Sequence, residues 1–324
     1  MARFTLTNPL RPILLAAGRR AWVERLVTRL PLTRSLVTRF VPGTDQVAVV
    51  ETVRRLLAEG RMISVDYLGE GITTAAEAQH TVEAYLALLS EFSTLSVEPL
   101  DAAGGRRLEV SIKLSALGQS LPGGGEALAL EHALTICREA EAVGCWVNVD
   151  AEDHTTTDST LRIVRKLRKE FPDVATVLQA YLHRTEQDCR ELSGPRSRIR
   201  LCKGAYSEPA EVAFQTPAEV DASYLRCLEV LIQGEGYPMV ASHDPAMIDG
   251  AQRLADRAGR PADRFEFQML YGIRDAEQAR LVDAGFRLRT YVPFGDDWFG
   301  YFMRRLAERP ANLVFFLRSL VGRP

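Results

Sequence analysis

"LEVSIKL", residues 108–114, alternates apolar and polar side chains and sets Lys113 among apolar neighbours. Successive side chains of a β-strand point to opposite faces, so an alternation of period two predicts a strand. A charge at Lys113 must be paired or functional, because an unpaired ammonium in apolar surroundings is costly. Comparable β-rich runs follow at 62–68 (MISVDYL), 145–151 (CWVNVDA), 175–181 (ATVLQAY), 198–203 (RIRLCK), 237–242 (YPMVAS), 264–270 (RFEFQML) and 286–292 (FRLRTYV). Helical patterns occupy 74–92, 126–143, 158–170, 184–193, 217–233, 244–258, 274–284 and 297–308. Eight strands, each followed by a helix, predict an α/β protein with a TIM-type (βα)8 barrel. A doubly wound sheet would want a Gly-rich phosphate turn after an early strand. Gly123-Gly124-Gly125 lacks that spacing and is read as a flexible loop and helix start.

The 324 residues suit one such barrel, and 46% apolar with 25% charged residues describe a soluble globular chain. A net charge of −2 gives no overall field for nucleic acid. Five cysteines, an odd number without CxxC spacing, read as reduced core thiols of a cytoplasmic protein. No apolar run approaches the ~20 residues of a membrane span. Residues 1–43 carry eight arginines against one acid, Glu24, for a local charge of +7. Such a start suits a transit peptide or a helix resting on anionic lipid. Only four of the 40 basic residues are lysines, so the arginine bias belongs to the whole chain. The expectation is an N-terminal helical arm over 1–59, with a peripheral membrane contact as its second use, and a catalytic barrel over 60–324. The apolar NLVFFL at 312–317 is expected to dock on the barrel.

A barrel builds its active site where strand C-termini meet their loops. Those ends carry Asp66, Glu70, Lys113, Asp150, Gln179, Arg200, Lys203, Ser242, His243, Gln268 and Tyr291. Lys113, Arg304 and Arg305 form a candidate clamp for a small carboxylate, since guanidinium groups bind carboxylates as directional forks. Adjacent arginines on a helix diverge by about 100°, so both reach one ligand only if that helix lies across the barrel mouth. The plain alternative is a solvated face on which Arg304 pairs with Glu308. Tyr206, Leu270 and Tyr291 supply flat apolar walls. A second cluster, Gln179, Arg200, Lys203-Gly204-Ala205 and Ser242-His243, suits a cofactor ring that gains negative charge on reduction.

The strings DYLGE, VSIKLSALG, VNVDAEDHTTTD, VLQAYLHRTEQD, RLCKGAY, ASHD, FEFQMLYGIR and YVPFGDDWFGYFMRRLAERPAN run in order from about residue 50 to residue 312. Together they resemble the proline dehydrogenase family, in its monofunctional bacterial form. The resemblance implies a distorted (βα)8 barrel that binds FAD without a Rossmann domain. It implies oxidation of L-proline to 1-pyrroline-5-carboxylate by hydride transfer from C5 to flavin N5, with electrons passing to a membrane quinone. Carried over, Lys113, Arg304 and Arg305 match the carboxylate clamp. Asp150 matches an active-site aspartate bracing Tyr291, and Tyr206, Leu270 and Tyr291 match pocket walls. Arg200 matches an arginine near the reacting flavin nitrogen, and Asp150 with Arg200 form the expected catalytic pair. Ala151, Gln179, Arg200, Lys203, Gly204, Ala205, Ser242 and His243 match FAD contacts, and Glu70 matches the acid that pairs the pocket lysine. No metal is implied, and the resemblance says little of the basic N-terminus beyond a helical arm.

Three other readings of the residues stand beside it. A Schiff-base aldolase would use Lys113 or Lys203. A metal hydrolase would use Asp150, Glu152, Asp153, His154 and His243, although no HxH or HExxH pair is present. A lipid-binding module would use the basic arm on an inert barrel.

Overall fold

The computed structural model describes residues 40–43, 46–69, 71–100, 105–295 and 297–308, with side chains in the last helix described up to Met303. Glu70, the side chains of Arg304 and Arg305, the basic residues 1–39 and the NLVFFL run lie outside the described residues.

Among the described residues, β1 (Met62–Tyr67), β2 (Leu108–Ile112), β3 (Trp146–Val149), β4 (Ala175–Gln179), β5 (Arg198–Cys202), β6 (Tyr237–Ala241), β7 (Glu266–Leu270) and β8 (Leu288–Phe294) close into one barrel in chain order. Every neighbouring pair is parallel, including β1 with β8, where Ser64 stands opposite Tyr291. The intervening helices are α2 (Ala75–Ser93), α3 (Gly125–Ala142), α4 (Thr157–Leu167), α5 (Thr185–Leu192), α6 (Pro217–Gln233), α7 (Pro245–Ala258) and α8 (Asp275–Asp283). α1 (Gln46–Ala58) precedes the barrel and α9 (Trp298–Glu308) follows it. The expected strands and helices are all present, shifted by a few residues at their ends.

Local signals set the helix boundaries. Thr74 and Thr216 each open a helix through a capping box, accepting from the amide of Glu77 or Glu219 while that glutamate reaches back. Pro217 and Pro245 sit in the first turn, where no amide donor is missed. The Gly123–Gly125 run starts α3, with Gly123 and Gly124 at positive φ.

Strand alternation sorts the chain into two cores. Ile63, Val65, Val110, Ile112, Val147 and Val149 point outward and pack against the helices, joined by Val49, Val53 and Leu56 of α1. Leu178, Ile199, Leu201, Val240, Phe267 and Met269 do the same on the other side. That segment of the expected arm, residues 46–58, is therefore a helix seated on the barrel. The alternate residues face the lumen, and many carry charge. Glu109 accepts from Arg198 at 2.6 Å and Arg200 at 2.7 Å, and Glu266 accepts from Arg289 at 2.7 Å. Arg289 also donates to the carbonyls of Ile63, Arg106 and Arg107. The Arg198 guanidinium lies 3.6 Å from the centre of the Trp146 ring. Burial raises the Glu109 carboxyl, but Arg289, Arg198 and Arg200 more than offset this and hold it at about 2.

All five cysteines are free thiols, four of them buried, and burial pushes Cys137 up to about 12. No helix among the described residues is long and apolar enough to cross a membrane.

Removing one member of a buried ion pair strands the other. Arg289→Met should lower unfolding stability by about 3–5 kcal/mol in a denaturant titration, and Arg289→Met with Glu266→Met should recover most of that loss. A single variant as stable as the parent would contradict the pairing. Glu109, held below its ordinary value, contributes stability that is complete above 4.5 and fades as pH falls through about 2. Glu109→Gln should therefore flatten this acid limb in stability measured against pH.

Candidate active site

The C-terminal ends of the strands converge polar side chains from distant parts of the chain. Asp66 is the last residue but one of β1, Lys113 follows β2 and Asp150 follows β3, while Tyr291 lies on β8. Lys113 Nζ donates to both carboxylate oxygens of Asp66, at 2.6 and 2.7 Å. It also stands 3.4 Å from the Tyr291 hydroxyl and 3.6 Å from Asp150 Oδ2. Tyr291 donates to Asp150 Oδ2 at 2.8 Å, so the aspartate does brace that ring. The other Asp150 oxygen accepts from Arg200 at 2.7 Å and Asn148 at 2.8 Å. The residue found pairing Lys113 is thus Asp66.

Arg200 lies wholly inside. It donates to Gln268 at 2.5 Å, Ser111 at 2.9 Å, Asp150 at 2.7 Å, Ser64 at 3.2 Å and Glu109 at 2.7 Å. A guanidinium has five N–H donors, so all are committed. Burial opposes its charge, yet Asp150 and Glu109 keep it above the ordinary arginine value. Arg200 acts on anything above it through its charge and through Asp150, not through a spare hydrogen bond. Its guanidinium also sits 5.3 Å from the centre of the Tyr291 ring.

The remaining candidates fill the mouth between β3 and β7. Gln179 donates to the Glu152 carbonyl at 2.8 Å from the end of β4, and Ala151 lies in the turn after β3. Lys203 pairs with Asp221 at 2.5 Å and Asp244 at 2.7 Å. Gly204 has φ +111, and a Cβ there would meet the Tyr181 ring at 2.3 Å, so that ring alone requires glycine. Ala205 and Tyr206 are exposed, Tyr206 to 45%, so Tyr206 stands at the rim. Their loop is tied down by Glu208, which accepts from the His154 amide at 2.9 Å and from Tyr181 at 3.2 Å. Ser242 accepts from the Asp244 amide at 3.1 Å, at the start of α7. His243 Nε2 accepts the Leu270 amide at 2.9 Å, and Arg274 donates to the His243 carbonyl at 2.6 Å. His243 thus fixes the pocket wall at Leu270.

Two of the rival readings lose their residues here. Both candidate Schiff-base lysines are held by carboxylates; burial opposes the Lys203 charge, but Asp221 and Asp244 outweigh it and raise that amine above its usual value. A nucleophilic lysine needs the opposite shift. Of the suggested metal ligands, Glu152 accepts from Ser115, Asp153 caps the Thr155 amide and His154 bonds Glu208. Among the described residues no group of three or more such ligands stands where it could hold a metal.

Sequence reasoning placed Asp66 and Gln268 at strand ends without assigning them partners, and it passed over Glu109. The signal was there: E-x-S-x-K, R-x-R and E-x-Q repeat the two-residue alternation with polar groups on one face.

Arg200, Gln179 and Lys203 border one sector of the mouth, and a buried cation, an amide and an ammonium are donor types that suit a flavin ring and a phosphate in their chemistry. The family model described as proline dehydrogenase matches residues 49–318. Proline dehydrogenase 2 of Bacillus subtilis (strain 168) is 36% identical over 288 residues, spanning 89% of this chain and 91% of its own. Proline dehydrogenase of Deinococcus radiodurans is 37% identical over 313 residues, spanning 96% of this chain and 97% of its own. Among solved structures, proline utilization A from Bdellovibrio bacteriovorus, inactivated by N-propargylglycine, superimposes with a TM-score of 0.80 at 23% identity. It covers 93% of this chain, which spans only 36% of that larger protein, and the likeness is one of fold. A match along most of the barrel, with more than a third of positions shared across nearly the full length of the single-domain relatives, places this chain in the proline dehydrogenase family.

Proposed function

We propose that this protein oxidises L-proline to 1-pyrroline-5-carboxylate, the first step of proline catabolism, with FAD as its redox group. The observation that carries the reading is the meeting of Lys113, Tyr291 and Asp150 at one mouth, from strand ends up to 178 positions apart in sequence. These are the residues that the family resemblance assigned to carboxylate binding and its support.

In this reading Ala151, Gln179, Arg200, Lys203, Gly204, Ala205, Ser242 and His243 hold the flavin. Bound there, it supplies the acceptor for the two electrons and the hydrogen that leave the substrate's C5. The chain's own work is to place and dry that carbon. Lys113, with Arg304 and Arg305 of α9, holds the proline carboxylate. Holding it converts a chance encounter into a fixed approach. Tyr291 walls the pocket with its hydroxyl held by Asp150, and Asp150 is fixed in turn by Arg200 and Asn148. Leu270, register partner of Tyr291 on the adjoining strand and with its amide bound to His243, forms the neighbouring wall, and Tyr206 stands at the rim. The Arg200 charge favours any negative charge that develops above it. We assign onward electron transfer to a membrane quinone. The basic N-terminal arm is the segment that would touch an anionic surface of a cytoplasmic membrane.

An absorption spectrum tests this directly. The purified protein should be yellow, and anaerobic L-proline should bleach the flavin bands. A colourless protein that borohydride traps with a carbonyl substrate would overturn the proposal in favour of the aldolase. Lys113→Met should raise KM for proline by about 10- to 100-fold, the worth of a charge-assisted hydrogen bond, and should retain the flavin. An unchanged KM would remove Lys113 from the pocket.

A further inference from the structure

We infer that Asp66 is a positioning residue that competes with the substrate carboxylate for Lys113, so that an anionic ligand binds together with a proton taken up at Asp66. The inference rests on the proline-binding role proposed for this pocket.

An ammonium has three N–H donors. Asp66 engages Lys113 through both oxygens, and Nζ leans next toward Tyr291 at 3.4 Å and Asp150 at 3.6 Å. A ligand carboxylate reaches Nζ only by drawing it away from one of these partners. The two acids differ in what else holds them. Asp150 accepts from Arg200, Asn148 and Tyr291 and keeps its charge supported when Lys113 turns away. The Asp66 side chain is 2% exposed, and among the described residues Lys113 is the cation paired with it.

Among the described residues, the titratable groups around Asp66 come from five elements. They are Lys113 beyond β2, Asp150 beyond β3, Tyr291 on β8 and Tyr85 on α2, with Arg200 of β5 behind Asp150. Arg200 has given all five donors to other groups. Even with Arg304 and Arg305 of the proposed clamp on the ligand, a third carboxylate entering beside Asp66 and Asp150 would set three anions about Lys113 in a nearly dry site. Like charges at that range drive the least supported one to protonate. Burial already raises Asp66 to about 6, against the pull of Lys113 and with Asp150 adding to the rise, so little further shift is needed near neutral pH. The pair acts as one coupled unit. Neutral Asp66 still accepts from Lys113 through its carbonyl oxygen and keeps the ammonium aimed at the ligand.

The test is calorimetric binding of cyclopentanecarboxylate to the holoenzyme, in two buffers of different ionisation enthalpy. The probe is a five-membered ring acid without an amine, so no ammonium confuses the proton count. The wild type should take up a fraction of a proton, at most one per ligand. Its Kd should rise on the order of tenfold from about pH 6 to about pH 8. Asp66→Asn should bind with no uptake and a flat pH profile, whereas Asp66→Glu should retain both. A wild type that proline bleaches but that binds the probe without a proton overturns the role of Asp66 and leaves the proline reading standing. The same uptake in Asp66→Asn overturns it too. If that variant does not fold, the wild-type proton count decides alone. A yellow protein that proline fails to bleach and that does not bind the probe overturns both readings.

Discussion

Arg200 ties the barrel together from the inside. Its five N–H groups end on Ser64 of β1, Glu109 and Ser111 of β2, Asp150 beyond β3 and Gln268 of β7. A buried guanidinium with any donor unmet would be expensive, so these strands must keep their register for the charge to be tolerated. The lumen is balanced around it. Among the described residues, Asp66, Glu109, Asp150 and Glu266 face Lys113, Arg198, Arg200 and Arg289, four acids against four bases. Such pairs add little net stability compared with apolar filling, while breaking one is costly. Their value here is to leave the strands few alternative pairings.

The same network changes character along the barrel axis. At the N-terminal end, Arg289, Glu266 and Arg198 are sealed by carbonyls and by Trp146. At the mouth, Lys113 and Asp150 are 14% and 12% exposed, and their bonds run through a tyrosine hydroxyl and a carboxylate that can rearrange. Arg200 joins the two layers. A ligand at the mouth therefore meets side chains whose positions are set from below, which is how a barrel combines a rigid frame with a responsive pocket.

Much of this was legible in the chain. The period-two runs and the helical patterns between them pointed to all eight strands and their helices. VSIKL marked Lys113 as a charge needing a partner, and the resemblance carried Asp150 to Tyr291. The partner of Lys113 was less legible. Asp66 lies 47 positions away, and its turn toward the lysine depends on strand phase and barrel closure. Local pattern does not report that. Glu109, Arg198, Glu266 and Arg289 look like ordinary surface charges until β8 returns to β1 and makes their face an interior. The rival metal reading shows the same limit: DAEDH looks like a metal cluster in one dimension, yet the backbone sends Glu152, Asp153 and His154 to Ser115, Thr155 and Glu208 and Asp150 to Tyr291 and Arg200.

The central claim is that the polar mouth is a carboxylate pocket organised by Lys113. A crystal structure of the holoenzyme soaked with cyclopentanecarboxylate tests it most directly. The account predicts the ligand carboxylate within about 2.7–3.2 Å of Lys113 Nζ, with its ring against Tyr291 and Leu270. A ligand bound elsewhere, with Lys113 still held on both oxygens of Asp66 and the mouth filled only by water, would contradict it.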